Sequence, residues 1–449
     1  MAAGWQLSCK RGRTVQPPVV ASIEECAGCN VVLIVIDTLR ADHLPFYGYP
    51  RDTAPFLQSV AEKSSVFERG FAASSWTAPA TASIFTAFYP SRHWVITGLA
   101  ATKSLQKGNP DTQIKLNRLP SDMTTLGEFM SRAGYRTIGV ADNPNIGDAM
   151  GFSRGFERFV THRNVGAQEV GASARRFLNE IGTTQPYFLY LHYMDPHQPY
   201  HRHEPWHSEC VATIPGGKTN RPERTICSYD SEIRFTDTQI APLFTEYRWL
   251  ENSIVIVTAD HGEEFWDHGG TGHGKTLYTE AIHVPFIVYH PKWPGRRIGA
   301  NVQTTDIMPT LAHLMGLAPE ARWEGKSIRA QLHGESPADP ERGIFSERIR
   351  HEETNQAAKR SIVMGEWHYI ETNDHRKNDL LLDSELYGLK SDFRERDELE
   401  QQQSEVAARL GEQLREHKRR AAAPKKENQI SVPVDKELSD QLRSLGYIQ

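Results

Sequence analysis

Four apolar runs, each stopping abruptly at polar side chains, limit this chain more than any other feature. They are "VVLIVID", ending at Asp37, "YRTIGVADN", ending at Asn143, "PYFLYLHYMD", ending at Asp195, and "SIVIVTADH", ending at Asp260 and His261. Their hydrophobicity is continuous rather than alternating. Each run therefore suits a strand covered on both faces, the setting of a mostly parallel sheet. Helical stretches lie between the runs. Thr53 is placed to cap "APFLQSVAEKSSV", with Pro55 in the first turn. "TTLGEFMSRAGY" stops at Gly134 and "TTDIMPTLAHLMGL" at Gly316. Strands alternating with helices predict an α/β sandwich. Ligands of such sheets bind beyond the carboxyl ends of the strands, where these polar residues fall.

After about Pro319 the pattern changes to shorter strands, "RSIVMGEWHYIE" and "LLLDSELYGL". A charged segment follows, in which Leu399, Val406, Leu410 and Leu414 recur at helical spacing. "AAAPKKENQ" then reads as a flexible linker before a short tail, "DKELSDQLRSLGYIQ". The net charge of -5 argues against a broad nucleic-acid surface. No apolar run approaches the roughly 18 residues that would make a transmembrane segment. "MAAGWQLSCKRGRTVQPP" lacks the apolar region of a signal peptide, and in "QLSC" the third residue before the cysteine is Gln6, which departs from a lipoprotein cleavage site. Export, to the periplasm for instance, is thus left open. Five cysteines, an odd number, leave at least one unpaired within a monomer. Cys26 and Cys29 form "CAGC", and Cys210 and Cys227 bracket a loop. Free thiols or one or two disulfides fit better than zinc, for which a lone CxxC is weak support.

Asp37, Asp260 and His261 are metal-capable side chains at the ends of two buried strands. Hard oxygen donors with one imidazole suit a divalent cation: Mn²⁺, Zn²⁺, Mg²⁺ or Ca²⁺. In "SWTAPATASIFTAFYPSR", Pro79 fits the first turn of a helix and puts Thr77 at or just before its N-terminus. There the helix dipole and free N–H groups favour an oxyanion or an alkoxide. From composition alone, a simple capping role for Thr77 would be the better reading.

Taken together, "NVVLIVIDTLRADH", "SWTAPATASIFTAFYPSRH", "FLYLHYMDPHQPY", "TADHGEEFWDHGG", "GHGKTLYTEAIHVPFIV" and "ELYGLKSDF" resemble the sulfatase family of the alkaline phosphatase superfamily, in the family's order, from about Asn30 to Phe393. The resemblance implies an alkaline-phosphatase-like three-layer α/β sandwich with a mostly parallel central sheet and a small C-terminal α+β subdomain. It divides the chain into an N-terminal extension (1–29), a catalytic domain (30–318), a C-terminal subdomain (319–420) and a linker with tail (421–449). The family's helix-start signature is Cys or Ser, any residue, Pro, Ser, Arg, and its first residue is oxidised to formylglycine. Here the stretch reads Thr77-Ala78-Pro79-Ala80-Thr81. "FYPSR" also contains Pro-Ser-Arg but resembles the segment after the signature helix. The family's paired aspartates are Asp37 and Thr38, and its signature arginine is Thr81, so one negative ligand and one cation are missing.

Threonine cannot become formylglycine, because its β-carbon carries a methyl group. The resemblance then implies one divalent metal ion on Asp37, Thr77, Asp260 and His261, with Thr77 as nucleophile. His197 would contact the leaving oxygen. His273 and Lys275 compete for the place of the family's substrate-binding lysine, because the spacing is shifted by one. His192, His201, His203 and His207 are read as structural, and a second metal recruited through Asp195 has no support from spacing. The implied activity is hydrolysis of a sulfuric, phosphoric or phosphonic ester of a small molecule, glycan or lipid. A threonine ester must wait for attack by water, a route familiar for phosphorus and awkward for sulfate. Transfer of the phospho group to a sugar or lipid hydroxyl, or a non-catalytic binding protein on the same scaffold, are the alternatives.

Overall fold

A strand whose every residue is apolar is stable only if neither face meets water. In the computed structural model, which describes residues 21–99, 113–215, 221–337, 339–349, 357–374, 380–421, 423 and 428–433, this condition is met. Strand Asn30–Ile36 sends Val31, Leu33 and Val35 into one apolar core and Val32, Ile34 and Ile36 into another. Strands Tyr187–Tyr193 and Ser253–Thr258, on either side of it, are buried throughout. Among the described residues eight strands form this sheet, in the order Arg296–Gln303, Ser65–Phe71, Phe286–Tyr289, Ser253–Thr258, Asn30–Ile36, Tyr187–Tyr193, Arg136–Ala141, Arg158–Thr161. Of these eight, Phe286–Tyr289 alone runs against its neighbours. Helices cover both faces, which gives the expected three layers.

Parallel register decides what meets at the strand ends. Val35 lies opposite His192 on one side and Thr258 on the other. Asp37 and Asp260, each two residues further on, therefore emerge side by side.

One expected cap is corrected. Helix Pro55–Ala61 has Ala54, not Thr53, before its first turn. The Thr53 hydroxyl instead donates to the His43 carbonyl at 2.6 Å. The first-turn amides of Phe56 and Leu57 donate to the Asp237 carboxylate, at 2.9 and 2.8 Å, from helix Arg221–Glu246. A carboxylate accepts two amides and opposes the helix dipole, so it displaces a hydroxyl cap. Gly134 and Gly316 lie past their helices in left-handed conformations, as read.

The second sheet is antiparallel, in the order Ile344–Arg348, Ala358–Met364, Trp367–Asp374, Leu380–Gly388. Helix Ser404–Arg419 covers it through Ala407, Leu410, Leu414 and His417, while Val406 is only half-buried. Gln429–Pro433, inside the segment 421–449 read as linker and tail, pairs as a strand with Gln113–Asn117. The segment "DKELSDQLRSLGYIQ" and residues 1–18 lie outside the described residues. Cys26–Cys29 and Cys210–Cys227 are disulfides.

"FYPSR" has a structural task. Its Pro90–His93 turn follows the signature helix, and the Ser91 amide donates to Glu347 at 2.6 Å. Glu347 also holds His417 at 2.9 Å. The His417 ring stacks on Phe345, so one buried carboxylate joins signature helix, small sheet and covering helix. Burial alone would raise the pKa of Glu347, but His417, Arg360 and the Ser91 amide together outweigh it and hold the group at about 2. Glu347→Ala is expected to cost about 3–5 kcal/mol, read from denaturant midpoints, because it strands a buried partner. A loss near zero would remove this role. Since the folded pKa is depressed, the contribution is complete above the ordinary value of 4.5 and is lost as pH falls toward about 2. The difference between wild type and variant should therefore shrink across that acid window.

Candidate active site

Asp37 and Asp260 are fully buried at the carboxyl ends of adjacent strands, and each keeps one oxygen, Oδ1 and Oδ2 respectively, with no hydrogen-bond partner. Burial, then the charge of Asp260, pushes Asp37 up to about 7. Asp260 is equally buried but is held down by His261, His192 and the His261 amide, which donates to its Oδ1 at 2.9 Å. Two carboxylates so placed need positive charge between them.

His192, for which the sequence favours a structural role, is the third donor of this cluster. Its Nε2 lies 3.8 Å from both Asp37 Oδ2 and Asp260 Oδ2, and neither ring nitrogen has a hydrogen-bond partner. Asp37, His192 and Asp260 are close enough for one ion to touch all three. The signal that could have found His192 was its position in a buried strand beside Val35, which only pairing register reveals. Thr38, by contrast, turns its hydroxyl to the Asp37 carbonyl at 2.7 Å.

His261 stands 3.5 Å from a carboxylate oxygen of each aspartate. Its Nδ1 lies 2.8 Å from the Gly262 carbonyl, which only accepts. Nδ1 therefore carries the hydrogen, and the lone pair of Nε2 faces the cluster. Orphaned buried oxygens, two imidazoles and the fixed tautomer of His261 fit a divalent cation. Asp37, Asp260 and His261, expected as ligands, lie side by side here.

Thr77 opens the fully buried helix Thr77–Thr86. Its Oγ1 lies 3.3 Å from His261 Nε2 and 3.5 Å from Asp37 Oδ2. Asn143 donates to Asp37 Oδ2 at 2.7 Å and reaches Thr77 Oγ1 at 3.4 Å. The Asn143 oxygen accepts the Asn145 amide, which fixes the side chain's orientation. The small sheet grips what leads to Thr77: Ser74 donates to the Glu347 carbonyl at 2.7 Å, and Arg348 to the Gly274 carbonyl at 2.6 Å.

Of His273 and Lys275, the structure brings His273, not Lys275, beside the other candidate site residues. The His273 ring lies 4.7 Å from that of His261 and 4.8 Å from that of His197. Gly272 and Gly274, on either side, adopt left-handed conformations that side chains resist, and so carry His273 inward. Lys275 is exposed and donates to the Thr271 carbonyl at 2.7 Å, so its expected place in the site is not observed. Burial would lower the pKa of His273. Glu263, 3.0 Å from Nδ1, outweighs it and raises the group. Tyr200 holds the other oxygen of Glu263 at 2.9 Å. His197 is the opposite case, pushed down to about 3 by burial and by His273. His203 pairs with Glu232, His207 approaches Glu204, and His201 donates its amide to Glu232, as befits structural positions.

Asp37→Asn removes a buried like-charge contact, so the chelator-treated variant should be at least as stable as chelator-treated wild type. Divalent ion at a hundredfold excess over Kd should stabilise wild type by about 2.7 kcal/mol. The same ion should leave Asp37→Asn and His192→Ala nearly unmoved. Thermal scans with each ion check both statements, and a full metal response in His192→Ala would exclude that residue as a donor.

The family described as Sulfatase matches residues 29–317. An arylsulfatase of Hemicentrotus pulcherrimus is 26% identical over 364 residues, covering 70% of this chain and 64% of that protein. The multifunctional alkaline phosphatase superfamily protein PehA of Trinickia caryophylli is 22% identical, covering 69% of this chain and 78% of the relative. The solved phosphonate monoester hydrolase of Silicibacter pomeroyi superposes with a TM-score of 0.66 at 20% identity, covering 91% of this chain and all of that one. With the matched family spanning well over half of the residues, the chain belongs to the sulfatase family, a family of ester-bond hydrolases within the alkaline phosphatase superfamily.

Proposed function

We propose that the protein is a sulfatase-family hydrolase that forms a covalent ester on Thr77 and prefers phosphoric or phosphonic esters to sulfuric ones, without formylglycine. The observation that carries this reading is the Thr77 hydroxyl within 3.5 Å of both His261 and Asp37, at the N-terminus of a buried helix. The names of two relatives, a phosphonate monoester hydrolase and a multifunctional superfamily member, support the preference.

Asp37, Asp260, His192 and His261 would hold the cation. Two carboxylates with two imidazoles suit Mn²⁺ or Zn²⁺ better than Ca²⁺. When bound, a divalent ion supplies positive charge and lowers the pKa of a neighbouring hydroxyl. Thr77 gives its proton toward Asp37 and attacks phosphorus in line. The Thr77 oxygen–phosphorus bond forms as the bond to the leaving alkoxide breaks. First-turn amides and the His273 imidazolium, held charged by Glu263, receive the non-bridging oxygens. His197 stands ring to ring with His273, takes up a proton from solvent as the substrate's negative charge enters the site, and passes that proton to the leaving alkoxide. Water then attacks phosphorus and gives its proton to His197, left neutral by the first step, while the bond from phosphorus to the Thr77 oxygen breaks and that oxygen takes back the proton held by Asp37. The reading takes a small-molecule, glycan or lipid ester as substrate.

A screen of metal-loaded protein against nitrophenyl sulfate, phosphate, phosphodiester and phosphonate esters tests this. Phosphoryl or phosphonyl turnover is expected, with Thr77→Ala lower by on the order of 10⁴-fold and Thr77→Ser partly active. Turnover of sulfate alone would overturn the preference. An unimpaired Thr77→Ala would overturn the nucleophile.

A further inference from the structure

Leu380, Leu381 and Leu382 are 52%, 45% and 54% exposed at the start of Leu380–Gly388, the edge strand of the small sheet. Successive side chains of a strand point to opposite faces. Leu380 and Leu381 therefore point to opposite faces, and Leu382 is the extra residue that the pairing with Thr372 and Asn373 skips, so both faces of this strand end carry an exposed leucine. A folded partner seated on one face covers alternate residues only, whereas an apolar liquid surrounds both. The other end of the same strand, Leu386 to Gly388, is buried and anchors it.

The edge is also poorly made for another strand. Pairing with the neighbouring strand slips between Thr372 and Asn373. A bulge of this kind twists an edge away from further pairing. Asp383, exposed, follows the leucines directly.

The position is tied to the candidate active site. Arg348, which holds the Gly274 carbonyl, lies opposite Lys359, Lys359 opposite Thr372, and Thr372 opposite Asp383. Three interstrand steps put the leucine strand roughly 14 Å from Arg348. Tyr278, from the segment that follows His273, donates to Glu385 of that strand at 2.8 Å.

We propose that the Leu380–Leu382 strand end is a docking element for a lipid surface, inserting among acyl chains on the side of the molecule where the His273 loop lies. Asp383 and Glu385 beside it give anionic lipid no advantage, so binding is apolar in origin and indifferent to salt. The inference does not rest on which ester the site cleaves.

Flotation of the full chain with phosphatidylcholine vesicles, at low and high salt, tests it without any turnover. Wild type is expected to float at both salt concentrations. The combined Leu380→Ser, Leu381→Ser and Leu382→Ser variant should partition on the order of 100-fold less. Its circular dichroism and nitrophenyl ester turnover should stay at wild-type levels. Leu317→Ser, at a residue 37% exposed elsewhere, should float like wild type. The proposal is overturned if wild type does not float, if the triple variant floats equally, or if binding requires anionic lipid and disappears in salt. Leucine-dependent self-association in light scattering without flotation would also overturn it, assigning the strand end to a second copy of the chain.

Discussion

Two negative side chains that a parallel register forces together are the constraint on which this structure turns. Asp37 and Asp260 extend neighbouring strands whose pairing is dictated by buried apolar residues on both faces, so neither can move aside without breaking the core. Much of what surrounds them answers that repulsion. Asn143 and the His261 amide donate to the carboxylates, His192 and His261 lie against them, and the buried helix of Thr77 presents its positive end. The site's chemistry grows from an electrostatic problem set by the sheet.

The small sheet belongs to the same arrangement. Its first strand holds Ser74 and Gly274 by direct hydrogen bonds, so the positions of Thr77 and His273 depend on residues from the later part of the chain. Glu347 supplies the complementary clamp, fastening the turn after the signature helix to the covering helix. A substitution in this sheet can therefore alter the site without touching it.

What could be read beforehand follows the range of the interactions involved. The four apolar runs and their polar endings are local patterns, and they led to the parallel sheet and to Asp37, Asp260 and His261, whereas Thr77 was singled out by the resemblance to the sulfatase family. His192 escaped notice because a histidine inside an apolar strand is distinguished only by its cross-strand neighbours. The placement of His273 rather than Lys275 beside His261 and His197 turned on two glycines whose left-handed conformations reverse the local geometry. The capping of Phe56 and Leu57 by Asp237 and the pairing of Gln429–Pro433 with Gln113–Asn117 join segments far apart in sequence. No local periodicity announces such contacts.

The central strand also sets a timing problem during synthesis. Asn30–Ile36 is translated early, yet its two partners are Tyr187–Tyr193 and Ser253–Thr258. At typical elongation rates the later partner follows after roughly 10 to 45 s. Until Tyr187–Tyr193 is made this apolar segment has neither neighbour to pair with, and until Ser253–Thr258 is made it has only one, so it is available for wrong association. The same double-sided burial that fixes the site in the finished protein leaves the nascent strand apolar on both faces until its partners arrive.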